Sequence, residues 1–187
     1  MHVSPPSSLG SDLRALRKAR GLTLTDVATE LGRSVGWLSQ VERDKSSPSV
    51  DELRRLTELY HVAMSTLFGE TPARPGEEGK IVRAGARRFI GDRVAGLSEE
   101  LISPDLTDDF EVVHSTFAAG AKLEKTITRP TQELAYVVSG ELEVEIAGQC
   151  FTVGPGDSFR IRNEPYRWAN NTQTPCVAIW VIAPPVY

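Results

Sequence analysis

The side chains that most often carry chemistry are few in this 187-residue chain, and they are widely separated in sequence. Cys150 and Cys176 lack the short spacing of a zinc knuckle, and two cysteines cannot form a disulfide framework. We expect both to be buried free thiols. The three histidines, His2, His61 and His114, are also scattered, and His114 is expected to be a packed or hydrogen-bonded residue.

A carboxylate and two aromatic residues, Glu133, Tyr166 and Trp168, form a more informative set. If they face one cavity, they could hold a cationic amine, with cation–π attraction contributing about 0.5–2 kcal/mol. The alternative is a carboxylate ligand clamped by one of four arginines, Arg88, Arg129, Arg160 or Arg162. An amine, an amino acid and an organic acid all stay open as ligands.

Composition places these residues in a folded globular protein, with 40% hydrophobic residues and a net charge of −4. No apolar run approaches the roughly 18 residues of a membrane span, and the N-terminus lacks a secretory signal, so we expect a cytoplasmic protein without a membrane segment. Residues 1–70 hold nine Lys+Arg and nine Asp+Glu, whereas residues 71–187 hold 12 and 16. The negative charge therefore belongs to the second part, and the neutral first part can still carry a basic face.

Two domains are expected, because the sequence changes character near residue 75. Short helical patterns occupy 9–70, and β-branched, alternating runs occupy 81–187. Between them, residues 71–80 contain two prolines, two glycines and several charges, which predicts a linker. The first eight residues are expected to form a loose tail.

Capping signals divide the first domain into five helices. Thr23 with Asp26, and Ser49 with Glu52, are spaced as capping boxes, and Ser34 is a third N-cap candidate. Gly21 and Gly32 are expected to end the helices before them. A last short helix is predicted from Ser65, burying Leu67 and Phe68. On the first helix we expect Leu13 and Leu16 to face the core, with four basic residues on the remaining surface, Arg14, Arg17, Lys18 and Arg20.

The tight turn between the second and third helices satisfies the steric demands of a helix-turn-helix, although an ordinary five-helix bundle would show similar turns. The run Gly21-Leu22-Thr23, Val27-Ala28, Leu31-Gly32, Ser34, Leu38 to Glu42, Lys45 and Pro48-Ser49 resembles the XRE, or lambda-repressor-like, helix-turn-helix family. The resemblance implies an all-α DNA-binding domain whose Ser34–Glu42 helix enters the major groove.

The family's motif assigns roles to individual residues of this helix and its neighbours. Gln40 could pair with adenine N6 and N7, and Val35 could touch a thymine methyl. The base-reading positions implied are Val35, Gly36 and Gln40, with Arg33, Ser34 and Trp37 at the margin. Phosphate contacts are expected from Thr23, Arg43, Lys45 and Arg14. Leu24 departs from the family, which often has a phosphate-contacting glutamine there. A solvated helix face remains the alternative for the basic residues of the first helix.

The second domain reads as a small antiparallel sandwich or barrel. Period-two alternation is clear over 110–117, 134–138 and 142–146, with turn signals at Gly140, Gly148 and Gly154 to Asp157. The nearly continuous apolar run from Cys176 to Ile182 is typical of a buried closing strand.

Two segments of this β-domain resemble the cupin motifs. The first runs from Gly120 to Gly140, with Thr126 and Thr128 in the place of the family's His-x-His, followed by Glu133. The second contains Pro155-Gly156-Asp157 and Pro165-Tyr166, with Tyr166 where the family has its last histidine. The resemblance implies a double-stranded β-helix barrel. Threonine and tyrosine are poor ligands for a divalent metal, so we expect no metal and no metal-dependent catalysis.

Period-two geometry within this frame aims a polar and aromatic set into the barrel: Thr126, Thr128, Glu133, Tyr166, Trp168 and Asn170. We expect these residues to line an effector pocket. A filled barrel, in which Glu133 is only hydrogen-bonded, is the alternative.

Both resemblances in this order match the HTH-cupin transcription regulators. They imply a homodimer that binds double-stranded operator DNA at half-sites about 34–36 Å apart and responds to a small-molecule effector. A strand over Lys80–Ile90 is expected to pair across the dimer. Two rival hypotheses remain, a metal-dependent cupin enzyme with a DNA-type head and a regulator whose ligand-free cupin serves only dimerisation.

Overall fold

The computed structural model describes residues 8–62, 64–67, 74–77, 79–91, 94–104, 106 and 108–186. The chain divides into two compact units, Met1–Ile90 with Ser103–Asp108, and Gly91–Ile102 with Asp109–Val186. Several predictions fall outside the described residues: the tail before Ser8, the core role of Phe68, and the linker positions 71–73 and 78. In the described part of the chain, no helix is long and apolar enough to cross a bilayer.

In its described residues the first unit contains four α-helices: α1 (Leu9–Ala19), α2 (Leu24–Leu31), α3 (Val35–Val41) and α4 (Val50–Leu59). Thr23 with Asp26, and Ser49 with Glu52, form the predicted capping boxes, and the Ser34 hydroxyl accepts from the Trp37 amide at 3.1 Å. Each cap satisfies backbone N–H groups that a first helical turn leaves free, which fixes where the helix begins.

The predicted count of five helices is not confirmed. The described residues contain, in the place of the fifth, a 3-10 helix at Met64–Leu67. Leu67 is buried as expected. Four residues suffice for a tight 3-10 turn that buries this side chain, and short 3-10 pieces are common as connectors.

The second unit is β-rich. The strands found where the structure describes the chain are β1 (Arg88–Gly91), β2 (Leu97–Leu101), β3 (Glu111–Phe117), β4 (Gln132–Ser139), β5 (Leu142–Ile146), β6 (Gln149–Val153), β7 (Ser158–Arg162), β8 (Tyr166–Ala169) and β9 (Cys176–Ala183). The larger sheet has the order β1-β2-β3-β9-β4-β7 and the smaller sheet the order β6-β5-β8. Isolated bridges Lys122↔Ala169 and Ile127↔Tyr166 place the segment before β4 beside β8.

Alternation puts the apolar face of each sheet inside the barrel. Every second residue of β3 and of β4 is buried, including Val113, Phe117, Ala135 and Val137. β9 lies between β3 and β4, in antiparallel register with both. The predicted closing strand is therefore central in its sheet.

Two expectations about the strands are wrong. Cys176 is buried, but Cys150 is exposed on β6, the end strand of the smaller sheet. The strand expected over 80–90 is limited to β1, since Ala84–Ala86 forms a 3-10 turn in which the Ala86 amide donates to the Arg83 carbonyl at 2.8 Å.

Candidate functional site

The turn between α2 and α3 is short because glycine allows it. Gly32 follows α2 with φ at 65°, a left-handed conformation that strains residues with a Cβ. The Arg33 amide then donates to the Ala28 carbonyl at 2.8 Å, and Ser34 caps α3. Two helices are thus joined by the few residues that a helix-turn-helix requires.

Helix α3 has one buried face and one solvent-exposed face. Leu38 and Val41 are buried, whereas Val35 is 42% exposed and both Gly36 and Gln40 are exposed. The predicted base readers therefore share the accessible side of a helix whose other side is fixed in the core. A side chain must be free in this way to reach a base edge, and their assignment as readers stays a prediction.

Arg33 and Trp37, which the sequence placed at the margin of the base-reading set, make contacts within the protein. The Arg33 Nε donates to Glu52 Oε1 at 2.6 Å, and its guanidinium carbon lies 5.2 Å from the centre of the Trp37 ring. The other Glu52 oxygen accepts from the Ser49 backbone and hydroxyl, and the Ser49 amide hydrogen bond lowers the pKa of Glu52. These contacts join the start of α3 to the start of α4.

The predicted phosphate contacts fall into two groups. Among the described residues, the exposed side chains of Arg14 and Lys45 have no hydrogen-bond or ion-pair partner and can reach an external anion. Arg43 donates from Nε to the Ser39 carbonyl at 2.9 Å. The Thr23 hydroxyl serves the α2 cap, where it accepts from the Asp26 amide and donates to the Asp26 carboxylate.

Arg17 does not lie on the basic surface where the sequence pattern placed it. Its Nε and Nη2 donate to the two Glu42 oxygens at 2.6 and 2.8 Å, and both residues are buried. The hydrogen bond to Glu42 raises the pKa of Arg17. The sequence could have indicated this burial, because Arg17 lies one helical turn after Leu13 and next to Leu16, on the stripe of α1 that faces the core.

In the barrel interior, Glu133 is buried and hydrogen-bonded by neutral hydroxyl groups. Its two oxygens accept from the Thr131 hydroxyl at 2.7 Å and the Tyr166 hydroxyl at 3.3 Å. Burial raises the pKa of Tyr166, so the phenol keeps its proton and can donate. The nearest described cation is Arg129, whose Nη1 lies 4.0 Å from Glu133.

The predicted inward orientation of Thr126 and Thr128 is wrong. Both are exposed, and the interior is lined instead by the alternate positions Ile127 and Arg129. Ile127 forms an isolated bridge with the buried Tyr166, so these two side chains lie on the same side, and Thr126 and Thr128 lie on the other. The apolar Ile127 between two threonines was the local signal for that register.

The remaining predicted pocket residues are buried, but not all are free to bind. Trp168 packs edge-on against Phe117, with ring centres 4.6 Å apart. Asn170 uses its amide nitrogen on three backbone carbonyls at 2.8–3.1 Å, those of Phe117, Ala118 and Thr174. Asn170 is thus occupied in fixing loops and offers no donor to a ligand.

The four arginines proposed as carboxylate clamps lie in different places. Arg88 is paired with buried Asp12 at 2.7 Å within the first unit, so its charge is already neutralised. Arg129 reaches the interior, while Arg160 and Arg162 are exposed on β7. His114, as expected, is partnered, with Nδ1 3.8 Å from Glu100 Oε2 on the neighbouring strand.

The interior does not fit the metal that many cupins hold. Its inward positions carry the sec-butyl side chain of Ile127 and the guanidinium of Arg129, neither of which ligates a divalent ion, and the other oxygen-bearing side chains that line it are Glu99, Glu133 and Tyr166. In the described part of the chain, no group of three or more His, Cys, Asp or Glu side chains could hold a metal ion.

The interior cavity is also small. Its volume is about 50 Å³, and its walls include Phe117, Trp168 and Trp180. Small-molecule sites are typically about 300–1,000 Å³. This space fits water beside Glu133 but not the amine or amino acid that the sequence suggested.

Comparison with known proteins agrees with this two-part architecture. Residues 8–66 match the family described as "Helix-turn-helix domain", and residues 113–182 match the "Cupin domain" family. The chain is 25% identical over 182 residues to the HTH-type transcriptional regulator PuuR of Escherichia coli (strain K12), covering 95% of this chain and 96% of that protein.

Two further relatives represent the whole chain and the barrel. The E. coli (strain K12) HTH-type transcriptional regulator SutR is 27% identical over 153 residues, covering 81% of this chain and 80% of the relative. The structure of KdgF from Halomonas sp. aligns with a TM-score of 0.50 at 22% identity, covering 58% of this chain and 96% of that one, which supports the barrel fold alone.

The helix-turn-helix and cupin matches lie in the order that the structure shows, and the regulators PuuR and SutR share most of the chain's length. The chain therefore carries an XRE-like helix-turn-helix domain followed by a cupin domain, and over most of its length it is similar to HTH-type transcriptional regulators.

Proposed function

We propose that this regulator binds a double-stranded DNA operator through α3 as a cytoplasmic homodimer, and that its cupin domain binds a small-molecule effector that modulates operator binding. The solvent-exposed face of α3 is the observation that supports the proposed DNA binding. Val35, Gly36 and Gln40 are exposed on a helix that Leu38 and Val41 fix in the core.

The distribution of charged side chains also supports DNA binding by the first unit. Arg14 and Lys45 have no described intramolecular partner, whereas Arg17 is neutralised by Glu42. Free cations add non-specific attraction to phosphates, and the α3 residues add sequence selection. Arg33, which pairs with Glu52 of α4 and lies over the Trp37 ring, supports α3 by holding its first turn in place.

Dimerisation follows from the geometry of such readers. One α3 covers only a few base pairs, so two copies related by a two-fold axis would read half-sites about 34–36 Å apart. Hydroxyl-radical footprinting on promoter fragments from the chain's own genomic neighbourhood tests this. Two protected patches one helical turn apart support the proposal; a single patch, or protection that vanishes with random competitor DNA, contradicts it.

An effector of the cupin domain would have to bind outside the site that the sequence indicated, because the interior cavity of about 50 Å³ is too small for an amine or an amino acid. That small interior favours a second candidate, in which the cupin binds no ligand and serves only dimerisation. Thermal shift separates the two, since a ligand at 100 times its Kd stabilises a protein by about 2.7 kcal/mol. Both candidates are non-catalytic.

A further inference from the structure

A second cavity of the cupin unit lies between the strands that end its two sheets. β6 is the last strand of the smaller sheet, and β7 is the last strand of the larger one. Residues of both strands line a slot of about 610 Å³. This volume is within the range of small-molecule sites, unlike that of the interior beside Glu133.

The slot exposes aromatic side chains at positions that face the core. Phe151 pairs directly with Val144 across β5 and β6, so both point to the same side of the sheet. Val144 is buried, yet Phe151 is 43% exposed. On β7, Phe159 pairs with the buried Ala135 and is itself only half-buried. Two rings therefore border a gap in the barrel core, which an apolar group could fill.

Charged groups with unused hydrogen-bonding capacity also line the slot. Among the described residues, the Arg160 guanidinium has no hydrogen-bond or ion-pair partner. Asp157 Oδ2 accepts from the Gly154 amide at 2.9 Å, and Glu164 Oε2 accepts from the Arg162 amide at 3.0 Å. Each of these carboxylates keeps its second oxygen free of any described partner.

We infer that this slot is the cupin's effector site and that it takes an amino acid with a large apolar side chain. The apolar side chain would lie between Phe151 and Phe159. Arg160 would bind its carboxylate, and Asp157 or Glu164 would bind its ammonium group. A purely apolar ligand would leave these groups unused, and an ion of one sign would use only part of them. The inference rests on the proposed function, because it names the site and ligand class of the proposed effector.

Calorimetric titration of the full chain with L-phenylalanine tests the site. We expect binding that weakens about tenfold or more with 3-phenylpropanoate, which lacks the ammonium group, and with 2-phenylethylamine, which lacks the carboxylate. Arg160→Gln should weaken L-phenylalanine and 3-phenylpropanoate by a similar factor and leave 2-phenylethylamine unchanged. Arg162→Gln is the matched control, since Arg162 is exposed on the same strand but does not line the slot.

Absence of L-phenylalanine binding, equal binding of the three compounds, or equal effects of the two arginine variants would overturn the inference. The titration needs no DNA. Selective operator binding without amino-acid binding would therefore remove this site and leave the DNA-binding proposal intact. Amino-acid binding without selective operator binding would do the reverse.

Discussion

At the scale of single residues, the buried pair of Arg17 and Glu42 holds α1 against the end of α3 with two short hydrogen bonds. Replacing one member leaves the other charge buried without its partner, so Glu42→Gln should destabilise the helical unit by about 3–5 kcal/mol. The double variant Arg17→Met with Glu42→Leu should recover most of that loss. Urea unfolding followed by helical circular dichroism measures both, and a cost below about 1 kcal/mol for Glu42→Gln would contradict this role.

Glu52 makes the start of α4 sensitive to acid. Hydrogen bonds from Ser49 lower its pKa from the ordinary value near 4.5, and Arg33 acts in the same direction. A lowered folded-state pKa contributes stability that is present above the unfolded value and is lost as pH falls through the folded-state pKa. The unfolding free energy of the native chain should therefore fall more steeply below about pH 4.5 than that of Glu52→Gln. Glu58→Gln, an exposed change on the same helix, is the control and should follow the native chain.

At the scale of elements, the sequence predicted most of what local chemistry decides. Caps at Thr23, Ser34 and Ser49 and the left-handed Gly32 set the helix boundaries, because they satisfy or release specific backbone groups. Strand alternation predicted the buried face of β4. Non-local features were missed: Arg17 meets a partner 25 residues away, and Cys150 is exposed on β6, a strand at the end of its sheet.

In the segment before β4, the resemblance to the cupin motif predicted different inward-facing residues from those that the local sequence pattern indicates. The match to the cupin motif selected Thr126 and Thr128, whereas Ile127 and Arg129 line the interior. Ile127→His with Arg129→His and Tyr166→His should therefore complete a divalent-metal site with Glu133, measurable as stoichiometric zinc or nickel in the purified protein. The control set, Thr126→His with Thr128→His and Tyr166→His, should bind far less. Equal metal content in the two sets would show that the register described here is wrong.

At the scale of the whole molecule, the net charge is unevenly distributed along the chain. The net charge of −4 arises entirely after residue 70, so residues 1–70 are neutral overall, and the proposed DNA binding relies on the placement of a few free cations. The cupin domain has the barrel strands, but the described part of it contains no group of three or more His, Cys, Asp or Glu side chains that could hold a metal ion. The proposed function assigns selective DNA binding to the first unit and ligand-dependent bias to the second.

The central claim is that α3 reads bases while the following loop contacts phosphates. It is tested most directly by measuring the ratio of operator to random-DNA affinity, at two salt concentrations, for the native chain and two exposed variants. Gln40→Ala should lower this ratio by about 1–3 kcal/mol with little change on random DNA. Lys45→Ala should weaken both DNAs alike and reduce the salt dependence by about one counterion. Equal effects of the two variants, or a native chain that shows no preference at either salt concentration, would contradict the claim.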